Sequence, residues 1–129
     1  MTLLGIDYGT REVGIAISEG ELARGIAEYA TPESLDRLVL LCKKEHITDV
    51  IIGLPEGFIR TQAKHFGEAL AKFIPARIIF WDETLTTQKA QQQLINSDYG
   101  QHRIHKKRHQ VAAALILQSY IDETKKTSR

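Results

Sequence analysis

The chain has 129 residues, 43% of them apolar and 26% charged, which suits one globular domain over residues 1–129 with a core of its own. A single cysteine, Cys42, excludes a disulfide framework and a cysteine-based zinc site, and a reducing, cytoplasmic setting is expected. Net charge is +1, so no partner follows from global charge; no run is apolar enough to span a membrane, and an N-terminus without a basic region, its apolar stretch broken at Asp7, predicts no signal peptide.

Three short strands come first, at about Leu3–Asp7, Val13–Ser18 and Gly25–Ala30. Their connections are short, polar and glycine-bearing, which predicts an antiparallel meander. Thr31-Pro32 then starts a helix, with Thr31 as N-cap and Pro32 at the first helical position; Leu35, Leu38, Val39 and Cys42 give it one apolar face. The continuous run Asp49–Leu54 suits a central strand covered on both faces, and Pro55 ends it. Ala63, Phe66, Leu70 and Phe73 mark a second helix. Arg77–Trp81 is a further strand ending at Asp82-Glu83; Thr86 is expected to cap a third helix, and a polar loop over 98–107 leads to a last helix from about Arg108. The order β-β-β-α-β-α-β-α-α predicts a mixed five-stranded sheet, three antiparallel strands followed by parallel ones, with helices on both faces.

Two acids stand where strands disfavour them. Asp7 closes an apolar run and faces the turn Tyr8-Gly9-Thr10; the pair Asp82-Glu83 closes another. A carboxylate beside a core costs free energy unless a cation meets it, although a solvated turn Asp would carry the same local signal. The fold order brings both strand ends to one edge of the sheet, with the fourth strand between them. The stretch 101–109 holds Arg103, Lys106, Lys107 and Arg108 and no acid, which reads either as a phosphate-binding edge or as a solvated loop. Gly9 and Thr10 can offer backbone N–H groups and a hydroxyl to a phosphate. Arg11 and Arg60 are further candidates, and Glu56 is a spare carboxylate after the central strand.

Gly5-Ile6-Asp7-Tyr8-Gly9-Thr10, Val13-Gly14-Ile15-Ala16, Gly53-Leu54-Pro55, Asp82-Glu83-Thr84-Leu85-Thr86-Thr87 and Ala112 through Gln118 occur in this order. Together, over nearly the whole chain, they resemble the YqgF (RuvX) family of pre-16S rRNA nucleases and Holliday-junction-resolvase-like proteins. The resemblance implies a ribonuclease H-like fold and a metal-dependent nuclease acting on structured nucleic acid, in ribosome biogenesis most of all, through 5′ maturation of precursor 16S rRNA. It implies three catalytic, metal-holding positions, which fall on Asp7, Glu83 and His109. At the third, His109 stands where the family has Asp, Thr84 stands where it often has Arg, and the loop after Pro55 is shorter than usual. By the same resemblance the cofactor is Mg²⁺ or Mn²⁺, and His109 favours Mn²⁺ because imidazole suits it better. His109 can instead meet a phosphate as an imidazolium, or be an ordinary helix-start residue. The partners implied are an rRNA precursor, free or in a pre-ribosomal particle, or branched DNA, bound by a monomer or a homodimer. Two alternatives stay open: a junction-cutting DNA endonuclease, and a nucleic-acid-binding member weakened in catalysis by His109. The segment Asp7–Thr10 also resembles the phosphate loop of sugar kinases, but those need two domains closing over ATP.

Overall fold

In the computed structural model, which describes residues 1–82 and 107–127, the chain opens with strands β1 (Thr2–Asp7), β2 (Glu12–Ser18) and β3 (Arg24–Ala30). Helix α1 (Thr31–Lys44), strand β4 (Ile47–Leu54), helix α2 (Ile59–Ala71), strand β5 (Arg77–Asp82) and helix α3 (Arg108–Thr127) follow. The five strands form one sheet in the order β3-β2-β1-β4-β5. β1–β2 and β2–β3 are antiparallel, while β1–β4 and β4–β5 are parallel. The expected mixed sheet is therefore present. The helix expected from Thr86 lies outside the described residues, as do Glu83, Thr84 and the stretch through Lys106.

Side-chain alternation divides the core between the two faces. Leu4, Ile6, Val13, Ile15, Val50 and Ile52 face Leu38, Cys42, Ala63 and Leu70 of α1 and α2. Leu3, Ala16 and Ile51 face Ala113, Ile116, Leu117, Tyr120 and Ile121 of α3. β1 and β4 are central and apolar on both faces, which is why their sequences read as unbroken apolar runs. At the start of β4 and β5, Asp49 and Arg77 are register partners, and Arg77 Nη2 donates to Asp49 Oδ2 at 3.2 Å. Trp81 stacks on Tyr120 with centroids 5.4 Å apart and donates to Ser119 Oγ at 3.2 Å, tying β5 to α3.

Two local expectations change. Ala30, not Thr31, occupies the N-cap of α1 and no side chain caps that end. The Thr31 hydroxyl instead donates to the Gly9 carbonyl at 2.8 Å, and the Thr31 N–H to the Arg11 carbonyl at 2.9 Å. A long-range anchor for the turn after β1 thus takes the group that a local cap would have used. Phe73 lies past the end of α2 and is exposed; Gly67, Ala63 and Leu70 form the buried stripe, with Gly67 seating the Phe80 ring.

Candidate active site at the sheet edge

β1, β4 and β5 run parallel, so Asp7, Leu54 and Asp82 end at the same edge. α2 and α3 both begin at that edge, one on each face of the sheet. A cleft of about 460 Å³ opens there, lined by Tyr8, Gly9, Thr10, Arg11, Ile59, Arg108 and His109. Thr10, Arg11 and Arg108 are exposed, as is Lys107. Neither α2 nor α3 carries an acid of its own in its first turn, so the carboxylates that meet the positive ends of the two helices come from the strands.

The centre of the site is a pair drawn from opposite ends of the chain. His109 Nδ1 lies 2.7 Å from Asp7 Oδ2, with the two side chains 20% and 14% exposed. A carboxylate only accepts, so Nδ1 carries the proton. The bond to Asp7 is the main cause of a His109 pKa raised above the usual histidine value; burial and Arg108 oppose it, and Glu28 adds to it. The ring's other face packs on the turn after β1: a Cβ at Gly9 would stand 2.9 Å from His109 Cε1 and 3.3 Å from Nε2. Asp7 therefore fixes the ring, and Nε2 is turned toward the turn that lines the cleft.

This contact requires α3 to lie unusually close to the sheet. Asp7, Gly14 and Glu28 are consecutive register partners across β1, β2 and β3. A Cβ at Gly14 would overlap the His109 carbonyl, and one at Gly5 would stand 2.7 Å from Leu117 Cβ. On the far side of Gly14, Glu28 Oε2 accepts from the Gln110 N–H at 2.8 Å, satisfying a donor that the first turn of α3 leaves unpaired. Burial and a hydrogen bond with Glu12 raise the Glu28 pKa, against the pull of the Gln110 N–H. Sequence reasoning missed Glu28, although it carried the signal that singled out Asp7: a lone acid in an apolar strand.

The other expected residues are distributed as follows. Gly9, Thr10, Arg108 and His109 line the cleft beside Asp7, and Lys107 immediately precedes α3. Asp82 turns to α2, where Arg60 Nη2 meets its Oδ1 at 2.7 Å, so Arg60 is engaged in an ion pair. Glu56 is exposed in the loop after β4. Glu83, Arg103 and Lys106 lie outside the described residues.

The family resemblance of the sequence implies a divalent ion, and the donors present can be compared with what one needs. Among the described residues no group of three or more His, Cys, Asp or Glu side chains is placed to hold a metal. Asp7 and His109 supply a carboxylate and an imidazole, chemistry that suits a divalent ion, but their hydrogen bond turns Nε2 away from Asp7, so the pair as it stands does not close on one ion. A histidine whose Nδ1–H is held by a carboxylate is also the arrangement that orients Nε2 for ligation.

The family model RuvX, described as Holliday junction resolvase, matches residues 1–123. A protein named "Putative pre-16S rRNA nuclease" from Halalkalibacterium halodurans is 31% identical over 135 residues, covering 95% of this chain and 96% of the relative. Proteins of the same name from Listeria innocua and Staphylococcus haemolyticus are 33% and 34% identical, covering 96% and 93% of this chain and 99% and 94% of theirs. Among solved structures, a Fowlpox virus resolvase bound to Holliday junction DNA superposes with a TM-score of 0.60 at 16% identity, covering 96% of this chain and 99% of that one. Thermus thermophilus RuvC with a Holliday junction substrate gives 0.59 at 12%, covering 90% and 92%. At these identities the two structures establish the shared fold.

Proposed function

The chain belongs to the RuvX family of Holliday junction resolvases, and from that premise we propose that it is a metal-dependent nuclease of structured nucleic acid. Its proposed substrate is precursor 16S rRNA, trimmed at the 5′ end in the cytoplasm, either free or within the pre-ribosomal particle. The observation that carries this reading is the Asp7–His109 pair at the foot of a cleft rimmed by Arg11 and Arg108. That placement joins an acid-containing centre to cations suited to a sugar-phosphate backbone, and relatives of matching length are named for this activity.

The chain's own residues have separable roles in this proposal. Asp7, through its other carboxylate oxygen, and His109, through Nε2, would each hold a Mn²⁺ or Mg²⁺ ion, with Glu83 as the second carboxylate. When bound, the ion supplies Lewis acidity and a nucleophile at neutral pH. Asp7 orients the imidazole through Nδ1. Gly9 lets a phosphate approach the backbone closely, and the Thr10 hydroxyl is available to it. Arg11, Lys107 and Arg108 neutralise the backbone at the cleft, and Arg103 and Lys106 are proposed to add to that charge. None of these groups reads a base, so recognition rests on shape and charge.

The test is cleavage of a precursor 16S rRNA transcript by purified protein with Mn²⁺, run beside a synthetic Holliday junction. Asp7→Ala should lower cutting by at least about a thousand-fold, as loss of a metal-holding group does. Cutting that survives the change sinks the assignment, and preferential cutting of the junction would move the substrate from RNA to DNA.

A second reading is favoured by one observation: the raised pKa of His109 favours an imidazolium where the family has an acid. On that reading the chain binds nucleic acid and cuts slowly or not at all. His109→Asp, assayed with Mg²⁺ alongside wild type, separates the two. A gain of cutting supports the weakened member; a loss supports His109 as part of the working centre.

A further inference from the structure

Phe58 is 98% exposed, more than any other large apolar side chain among the described residues. Gly57, at φ +91°, turns the chain after β4, and Phe58 leads into α2 from the N-cap position. The fold does not use this ring: Ala63, Gly67 and Leu70 supply the buried stripe of α2. The next residue, Ile59, lines the cleft on the α2 side, while Arg108 and His109 line it from α3. A phenyl ring left in water forgoes the burial that its size offers. Phe58 directly precedes a residue of the cleft that Arg11 and Arg108 also line, groups suited to phosphates, and its flat face fits a nucleobase, since aromatic stacking tolerates any base. Within a duplex the base faces are already covered by their neighbours, so only an unpaired nucleotide can present one.

We propose that Phe58 stacks on an unpaired base next to the phosphate held in the cleft, so that the protein prefers nucleic acid with an unstacked nucleotide at that point over continuous duplex. This deepens the nuclease reading of the same cleft and rests on it. Binding is measured by fluorescence anisotropy at fixed salt with EDTA present, so that no probe is cut. One probe is an RNA stem–loop with an unpaired nucleotide at the stem junction; the other is a blunt duplex of equal length. Phe58→Ala should weaken binding to the stem–loop about ten-fold or more and leave duplex affinity within about two-fold. Phe58→Trp should restore the affinity, and its emission should be quenched by the stem–loop. Equal affinity of wild type and Phe58→Ala for the stem–loop overturns the proposal while leaving the nuclease reading intact. An equal loss on both probes also overturns it, because a general contact would then explain the effect. Wild-type protein that binds neither probe overturns the proposal, while the nuclease reading stands or falls on the cleavage assay with Mn²⁺. A shift from dimer to monomer in Phe58→Ala, with stem–loop affinity unchanged, would assign the ring to a contact between copies instead.

Discussion

His109 and Asp7 are coupled in sign as well as in space. The His109 pKa is raised above its ordinary value of about 6.5, with the hydrogen bond to Asp7 as the first cause. A histidine that binds its proton more tightly when folded stabilises the fold fully below the unfolded value, and that contribution is lost as pH rises through the folded value. Urea unfolding of the wild type should therefore show stability that falls as pH rises above the ordinary histidine value of about 6.5. Asp7→Asn removes the charged acceptor and should flatten that fall. Equal slopes in the two proteins would mean that the pair contributes nothing to folding. The same pair explains what a chain without coordinates leaves hidden. Asp7 was legible as an acid in an unsuitable place, and His109 through the motif around Ala112–Gln118. That the two hold each other through Nδ1 depends on a rotamer and on helix height above the sheet, neither of which is written in residue spacing.

The height of α3 is set by small residues on the strands beneath it. Gly14 sits under the His109 carbonyl and Gly5 under Leu117, so the helix can approach where side chains would hold it off. Gly14→Ala places a methyl group into backbone, which cannot give way as a flexible side chain can. Overpacking of this kind costs about 1–3 kcal/mol, and the relief available is to lift the first turn of α3 away from Asp7. The expected outcome is a lowered urea midpoint together with a loss of cutting larger than the stability change explains; an unchanged midpoint would show that the helix has slack. Strand order, strand direction and the two-faced core followed from apolar periodicity and short connections, because burial of a sheet imposes those patterns directly. The N-cap at Thr31 and the role of Glu28 did not follow. In each case a long-range partner, Gly9 or Gln110, replaced the local one that sequence rules consider.

Across the whole molecule, a net charge of +1 hides an uneven distribution. At the edge of the sheet where β1 ends, Arg11, Lys107 and Arg108 are exposed beside a cleft that two helices approach with their positive ends. At the opposite edge, α1 finishes in Lys43 and Lys44, also exposed but remote from the cleft. If binding is driven by the cleft, affinity should fall with salt by roughly 0.7–0.9 log units per phosphate contacted for each tenfold rise in salt. Arg108→Ala should reduce that slope by about one contact and weaken all nucleic acids alike, since a phosphate contact carries no sequence information. Lys44→Ala removes the same unit of charge from the protein and should leave both slope and affinity unchanged. Anisotropy titrations of one RNA at three or four salt concentrations distinguish the outcomes. Matching losses in the two variants would mean that net charge, and not the cleft at the end of β1, draws the nucleic acid in.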